Sequence, residues 1–253
     1  MNDLEKYFYQ NEGRIVHKWH HYFEIYETHF SRFRNKEIVI VEIGLFQGGS
    51  LHMWKDYFGK KAKIYGIDIN PDCKRFEEDN VSILIGSQSD REFLRDVKKK
   101  IPRIDILIDD GGHFMQQQII TFEELFDHVK PDGIYLCEDT QTSYLLEYGG
   151  GHNRRSSFIE HSKKLIDYVH AFHANEKSLR VNEFTKTIHG IHFYDSVVVI
   201  EKKIRVPPEN SKKGKESLLT FSPPKKVNPI KYKMLYNLNV ILRFLGLRGY
   251  KWK

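Results

Sequence analysis

Short apolar runs alternate along the chain with longer segments whose apolar residues recur every three or four positions. IVIVEIG (38–44), KIYGIDI (63–69), VSILIG (81–86), IDILIDD (104–110) and GIYLCED (133–139) are brief and rich in β-branched residues. Such runs predict strands buried on both faces of a sheet. SLHMWKDYFG (50–59), REFLRDVKKK (91–100), MQQQIITFEELFDHV (115–129) and SFIEHSKKLIDYVHAFH (157–173) have helical spacing. Gly59 stops the first of these helices, and Pro131-Asp132-Gly133 closes the third. Upstream, RIVHKWHHYFEIYETHFSRFR (14–34) places Trp19, Tyr22, Phe23, Tyr26, Phe30 and Phe33 at gaps of mostly three and four, which predicts one amphipathic helix. IHGIHFYDSVVVIEK (188–202) reads as two strands about a tight Asp195-Ser196 turn. Strands that alternate with helices predict an α/β fold, with a mostly parallel sheet covered on both faces. The closing hairpin brings the sheet to seven strands and adds an antiparallel pair at one edge.

Composition changes this picture near residue 207. PPENSKKGKES and FSPPKKVNP are rich in Pro, Ser and Lys and read as linker. YKMLYNLNVILRFLG then has helical spacing at Met234, Leu235, Leu238, Ile241 and Leu245, with Gly246 as its stop. The expected division is a catalytic domain over 1–206, including the N-terminal helical segment, and a basic tail over 207–253. Residues 202–253 hold 14 Lys/Arg against 2 Glu, a net +12, so the preceding 201 residues carry −6 of the chain's +6. An acidic body excludes general nucleic-acid binding. The basic, amphipathic tail suits a subunit partner, an anionic membrane surface or its own domain. A polar N-terminus and only two cysteines, Cys73 and Cys137, point to the cytoplasm. A homo-oligomer is expected.

The candidate chemistry lies at the strand ends, because open α/β sheets bind ligands beyond the carboxyl ends of their strands. Strand one is followed by Glu42-Ile43-Gly44-Leu45-Phe46-Gln47-Gly48-Gly49-Ser50, and strand two ends at Asp68, 24 residues beyond Gly44. Glycines let backbone approach a ligand, and an acid after strand two can accept ribose hydroxyls. The spacing is G-x-x-x-G-G and not the dinucleotide G-x-G-x-x-G. A nucleoside cofactor without a pyrophosphate fits, and S-adenosylmethionine is one. Glu42, Gly44, Gly48, Ser50 and Asp68 are its candidate contacts. Ser87 and Gln88 after strand three, and Asp109 at the end of strand four, join them. Ser89 or Asp90 also suits an ordinary helix N-cap.

Strand four runs out into Asp109-Asp110-Gly111-Gly112-His113, and strand five into Glu138-Asp139. Neighbouring strands lie about 4.8 Å apart, so Asp110, Glu138 and Asp139 would crowd together and repel. A divalent cation removes the conflict, and oxygen donors favour Mg²⁺, Mn²⁺ or Ca²⁺ over zinc. A cation there acidifies a nearby hydroxyl, and the His113 imidazole can take the proton.

EIGLFQGGS, YGIDI, IDDGGH and EDTQTSYLLEYGGG together resemble the metal-dependent sugar O-methyltransferases of the macrocin and mycinamicin type, over roughly residues 14–202. The resemblance implies a Rossmann-like class I methyltransferase fold, S-adenosylmethionine with Mg²⁺ or Mn²⁺, metal ligands Asp110, Glu138 and Asp139, and His113 as general base. It departs at Gly112, where the family motif D-G-S-H has serine. Tyr144 is expected at the substrate mouth, and Gly149–Gly151 as a mobile loop. His20, His21 and Tyr22 either close over the cofactor or belong to the core. The implied acceptor is a sugar hydroxyl, on a sugar nucleotide or glycan precursor. A catechol or small phenol is the alternative acceptor. An NAD-dependent oxidoreductase lacks its glycine fingerprint, and a non-catalytic adaptor has no use for the acid–histidine set.

Overall fold

The computed structural model describes residues 1–215, 217, 228–245, 247, 249 and 250. It contains two compact units, Met1–Pro208 and Glu209–Lys253.

Unit one is built on a seven-stranded sheet in the order β3-β2-β1-β4-β5-β7-β6. The strands are β1 (Val39–Ile43), β2 (Lys63–Asp68), β3 (Val81–Ile85), β4 (Ile104–Asp109), β5 (Val129–Cys137), β6 (Ile188–Tyr194) and β7 (Val197–Lys202). The first five are mutually parallel, and β7 and β6 pair antiparallel at one edge. β1 is buried along its whole length, as its unbroken apolar run requires. The chain winds outward from β1 to β2 and β3, then returns to place β4 on the other side of β1. This reversal opens a crevice between the ends of β1 and β4.

Helices α1 (Asp3–Gln10), α2 (Tyr22–Phe30) and α3 (Gly49–Phe58) bring Phe23, Tyr26, Phe30, Trp54 and Phe58 to one apolar core. Helices α4 (Arg91–Lys100), α5 (Met115–Leu125), α6 (Phe158–His170) and α7 (Glu183–Thr187) contribute Leu94, Phe122, Leu125 and Phe158, with Phe184 at the margin, to a second. Burying each large apolar side chain is worth about 1.5–3 kcal/mol. α4 shows how local signals set boundaries. Asp90 caps it by accepting from the Glu92 and Phe93 amides, and Lys98, Lys99 and Lys100 fill its last turn.

The helix expected over 14–34 is shorter and later, Tyr22–Phe30, followed by a 3₁₀ turn at Ser31–Phe33. Residues 14–19 are not helical. The carbonyls of Arg14 and Ile15 lie against Gly49, where a Cβ would come within 2.5 Å of both. Lys18 is held by acids 92 and 120 residues away. These long-range contacts override the local periodicity. α1 is an additional helix, with a reciprocal capping box between Asn2 and Glu5.

In unit two, α8 (Pro229–Phe244) is capped by Asn228, which accepts from the Ile230 and Lys231 amides. Most of the expected linker, residues 218–227, and the stop at Gly246 lie outside the described residues. Among the described residues, no helix is long and apolar enough to cross a membrane.

Candidate active site

A cleft of about 430 Å³ opens at the carboxyl ends of the parallel strands. Its lining includes Lys18, Leu45, Asp68, Gln88, His113 and Asp139.

At the β1–β2 end, Asp68 Oδ2 accepts from the Leu45 amide at 2.8 Å and Oδ1 from the Asn70 amide at 2.8 Å. Gly44 and Ser50 also line the cleft. Gly44 has φ +87°, and a Cβ there would lie 2.0 Å from the Asp110 carbonyl oxygen. That clearance lets the β1 and β4 loops meet. Gly44→Ala is therefore expected to push the Asp110 segment aside and weaken S-adenosylhomocysteine binding at least tenfold by calorimetry. Affinity within twofold of wild type would show that the close approach is dispensable.

Glu42 and Gly48 stand apart from the cleft lining. Glu42 is fully buried, and its carboxylate accepts from Ser50 Oγ at 2.8 Å and Trp54 Nε1 at 3.0 Å. Burial pushes its carboxyl up to about 7, against the pull of Lys18 and Trp54. The geometry gives it the role of fixing α3 against β1. Gly48, at φ +73°, packs under the Phe76 ring. Asp109 is buried too, bonded to Gln88 Nε2 at 2.9 Å and the Tyr135 hydroxyl at 3.2 Å. Burial raises its carboxyl to about 6, with Gln88 opposing. Gln88 also accepts from the Gly112 amide at 2.8 Å, so it ties the β3 loop to the β4 loop. Ser87 lines the cleft beside it.

At the β4–β5 end the acids meet as their strand positions require. Glu138 and Asp139 follow β5, and Asp139 sits at φ +51°. His113 also adopts a left-handed backbone, φ +59°, which turns its ring back over the strand end. Its Nε2 lies 3.5 Å from Asp139 Oδ2 and 3.9 Å from Asp110 Oδ1. One donor atom from each of Asp110, His113 and Asp139 falls within 4.8 Å of the others.

Glu138 also lines the cleft but falls outside that trio, because both of its oxygens are engaged. Its Oε2 accepts from Lys18 Nζ at 2.8 Å and its Oε1 from the Tyr26 hydroxyl at 2.7 Å. Lys18 also donates to Asp110 Oδ2 at 2.5 Å. Burial works against the Lys18 ammonium, but Asp110, Glu138 and Glu42 outweigh it and hold its pKa above normal. Burial and the nearby Asp110 push the Glu138 carboxyl upward, and Lys18 and Tyr26 oppose them. Tyr22 donates to Asp139 Oδ1 at 2.7 Å, and burial followed by Asp139 raises its phenol. Tyr22 is thus both core and cleft wall. His20 and His21 are exposed and line no part of the cleft.

No protein-family profile matches the chain. The 8-demethyl-8-alpha-L-rhamnosyl tetracenomycin-C 2'-O-methyltransferase of Streptomyces olivaceus is 36% identical over 198 residues, covering 74% of this chain and 52% of that protein. The demethylmacrocin O-methyltransferase of Streptomyces fradiae is 33% identical over 204 residues, 75% of this chain and 51% of that one. The structure of the MycE methyltransferase of the mycinamycin pathway, in complex with Mg, SAH and mycinamycin VI, superposes with a TM-score of 0.70 at 30% identity, covering 80% of this chain and 53% of that one. Over about three quarters of its length the chain is homologous to the macrocin and mycinamicin type of sugar O-methyltransferases. It spans about half the length of these relatives.

Within this sugar O-methyltransferase family frame, the glycine at 112 has a local explanation. A Cβ there would lie 2.3 Å from Gln117 Oε1, which accepts from the Phe114 amide. Gln117 occupies the space a serine side chain would need. Tyr144 is 53% exposed and does not line the cleft. The Gly149–Gly151 segment is pinned: the Gly150 amide donates to Leu145 O and the Gly151 amide to Ser143 O. Lys18 and Tyr26 escaped the sequence reading, because nothing local marks a lysine or tyrosine as the partner of acids more than 90 residues on.

Proposed function

We propose that this chain carries the methyl-transfer site of a S-adenosylmethionine- and Mg²⁺-dependent O-methyltransferase acting on a sugar hydroxyl. One observation carries the reading: a single cleft has a nucleoside-type acid, Asp68, at one end and converging donors from Asp110, His113 and Asp139 at the other. The donor set suits a divalent cation. It is oxygen-rich, and a buried cationic group, Lys18, already lies against Asp110 and Glu138.

When bound, S-adenosylmethionine supplies the methyl group, and the cation supplies positive charge beside the acceptor oxygen. Asp68, Gly44 and the Ser87–Gln88 loop bind and orient the nucleoside. Asp110 and Asp139 would hold the cation, with Glu138 as a further ligand if it turns from Lys18. Tyr22 and Tyr26 fix the carboxylates by hydrogen bonds. His113 receives the acceptor's proton at Nε2. Alignment of acceptor and methyl donor in the cleft supplies much of the rate.

The Streptomyces olivaceus relative carries a rhamnosyl–aglycone substrate in its name, so a glycosidically linked sugar is the first acceptor to assay. Sugar nucleotides come next, and catechols serve as the contrasting class. The deciding experiment is calorimetry with S-adenosylhomocysteine, in EDTA and then with Mg²⁺ or Mn²⁺, on wild type and Asp110→Ala. Nucleoside binding and a separate metal heat, the latter lost in the variant, are expected. No nucleoside binding would sink the cofactor assignment. Methylation of catechols but no sugars would sink the acceptor.

A further inference from the structure

A second set of metal-type donors lies where α2 meets the antiparallel edge of the sheet. His29, on α2, is buried, with a side chain only 3% exposed. Its Nε2 is 3.0 Å from the Tyr194 hydroxyl, and its Nδ1 is 3.3 Å from Glu201 Oε1. His192, on β6, places Nε2 3.7 Å from the other Glu201 oxygen. That nitrogen is buried and has no hydrogen-bond partner among the described residues. One donor atom from each of the three residues falls within 4.8 Å of the others.

These separations have a chemical meaning. Zinc bound by histidine sits about 2.0–2.1 Å from nitrogen, and tetrahedral geometry then spaces ligand atoms roughly 3.3–3.5 Å apart. The observed 3.3 and 3.7 Å, one to each Glu201 oxygen, lie at and slightly beyond that spacing. They are long for hydrogen bonds, and 3.7 Å is too long for one. Gly190 faces Glu201 across the β6–β7 pair. A Cβ on it would sit 3.4 Å from His192 Nε2 and 3.7 Å from Glu201 Oε2. The glycine leaves space open beside both donors.

We propose that His29, His192 and Glu201 form a zinc-binding site distinct from the catalytic cleft. Two imidazoles and one carboxylate favour zinc over Mg²⁺, and the fourth position is left to water. Tyr194 holds the outer nitrogen of His29, as partners of metal-bound histidines do. The site is a clamp. α2 also carries Tyr22 and Tyr26, which donate to Asp139 and Glu138. Seven residues separate Tyr22 from His29, about 10 Å along a helix. Zinc at one end of α2 therefore fixes the helix whose other end orients the acidic cluster. None of this depends on the methyltransferase reading.

The test is zinc titration of the metal-free full chain against a chromophoric chelator, with His192→Ala and Glu201→Gln beside wild type. His192 is partly exposed, so its removal leaves the fold intact, and retained S-adenosylhomocysteine binding or an unchanged circular dichroism spectrum checks this. Wild type is expected to bind one more zinc equivalent than either variant. The same increment should persist in an Asp139→Asn background, which separates it from zinc in the cleft. Co²⁺ should give wild type a tetrahedral absorption band that both variants lack. Equal zinc stoichiometry in wild type and the two variants would overturn the site, as would an increment lost in Asp139→Asn alone.

Discussion

Lys18→Met is expected to lower the unfolding free energy in EDTA by about 3–5 kcal/mol, the usual cost of breaking a buried ion pair from one side. Lys18 has a side chain 3% exposed and touches two acids, one of them Glu138 at 1%. Methionine fills the volume but removes the ammonium. Glu138 would keep the Tyr26 hydrogen bond alone, with Asp110 beside it. Replacing Glu138 as well should recover part of the loss, so Lys18→Met/Glu138→Gln should be less destabilised than the sum of its single variants. Urea unfolding measures each. A second consequence separates charge from packing. Mg²⁺ should stabilise Lys18→Met more than wild type, because the acids regain a cation and binding to the folded state adds stability. A loss below about 1 kcal/mol, or equal stabilisation by Mg²⁺, would show that Lys18 is not their counter-ion.

That lysine also marks the limit of what the sequence discloses. The strands were legible because burial on both faces writes an unbroken apolar run, and IVIVEIG and IDILIDD became β1 and β4 with ends displaced by at most one residue. The hairpin at 188–202 was legible from its two β-rich arms. Register then carries strand ends into space: Ile43 pairs with Asp109 and Asp109 with Cys137. The loops after β1, β4 and β5 must therefore meet, which made the Asp110–His113–Asp139 cluster foreseeable. The strap before α2 was not foreseeable. Its aromatic spacing imitates a helix, and the bonds that straighten it join Lys18 to residues 110 and 138. Glu42 misled for a related reason. An acid at a strand end looks like a ligand contact, but Ser50 and Trp54, 8 and 12 residues on, close over it. The capping box of α1 was present as Asn2-Asp3-Leu4-Glu5, a signal that needed only its spacing to be read.

His113→Gln is expected to lower kcat by about 10²–10⁴-fold, the range for removing a positioned general base, with S-adenosylhomocysteine affinity within threefold of wild type. The geometry separates the two effects. His113 belongs to the acidic end of the cleft, 3.5 Å from Asp139, whereas Asp68 anchors the opposite end through Leu45. Glutamine keeps a polar group of similar reach but accepts no proton. The left-handed backbone at His113, φ +59°, is strained for any non-glycine residue, and glutamine bears it no better than histidine. Unfolding in urea should check that the fold survives. The contrast is Asp139→Asn, which changes a donor of the cation-binding set and the partner of Tyr22. It should weaken Mg²⁺ binding at least tenfold by calorimetry, whereas His113→Gln should shift it by no more than a few-fold. If His113→Gln instead lost metal affinity as strongly as Asp139→Asn, the imidazole would be a ligand, and the proton would need another acceptor. If kcat fell by less than about fivefold, well under the expected loss of a base, proton removal by His113 would not be part of the rate.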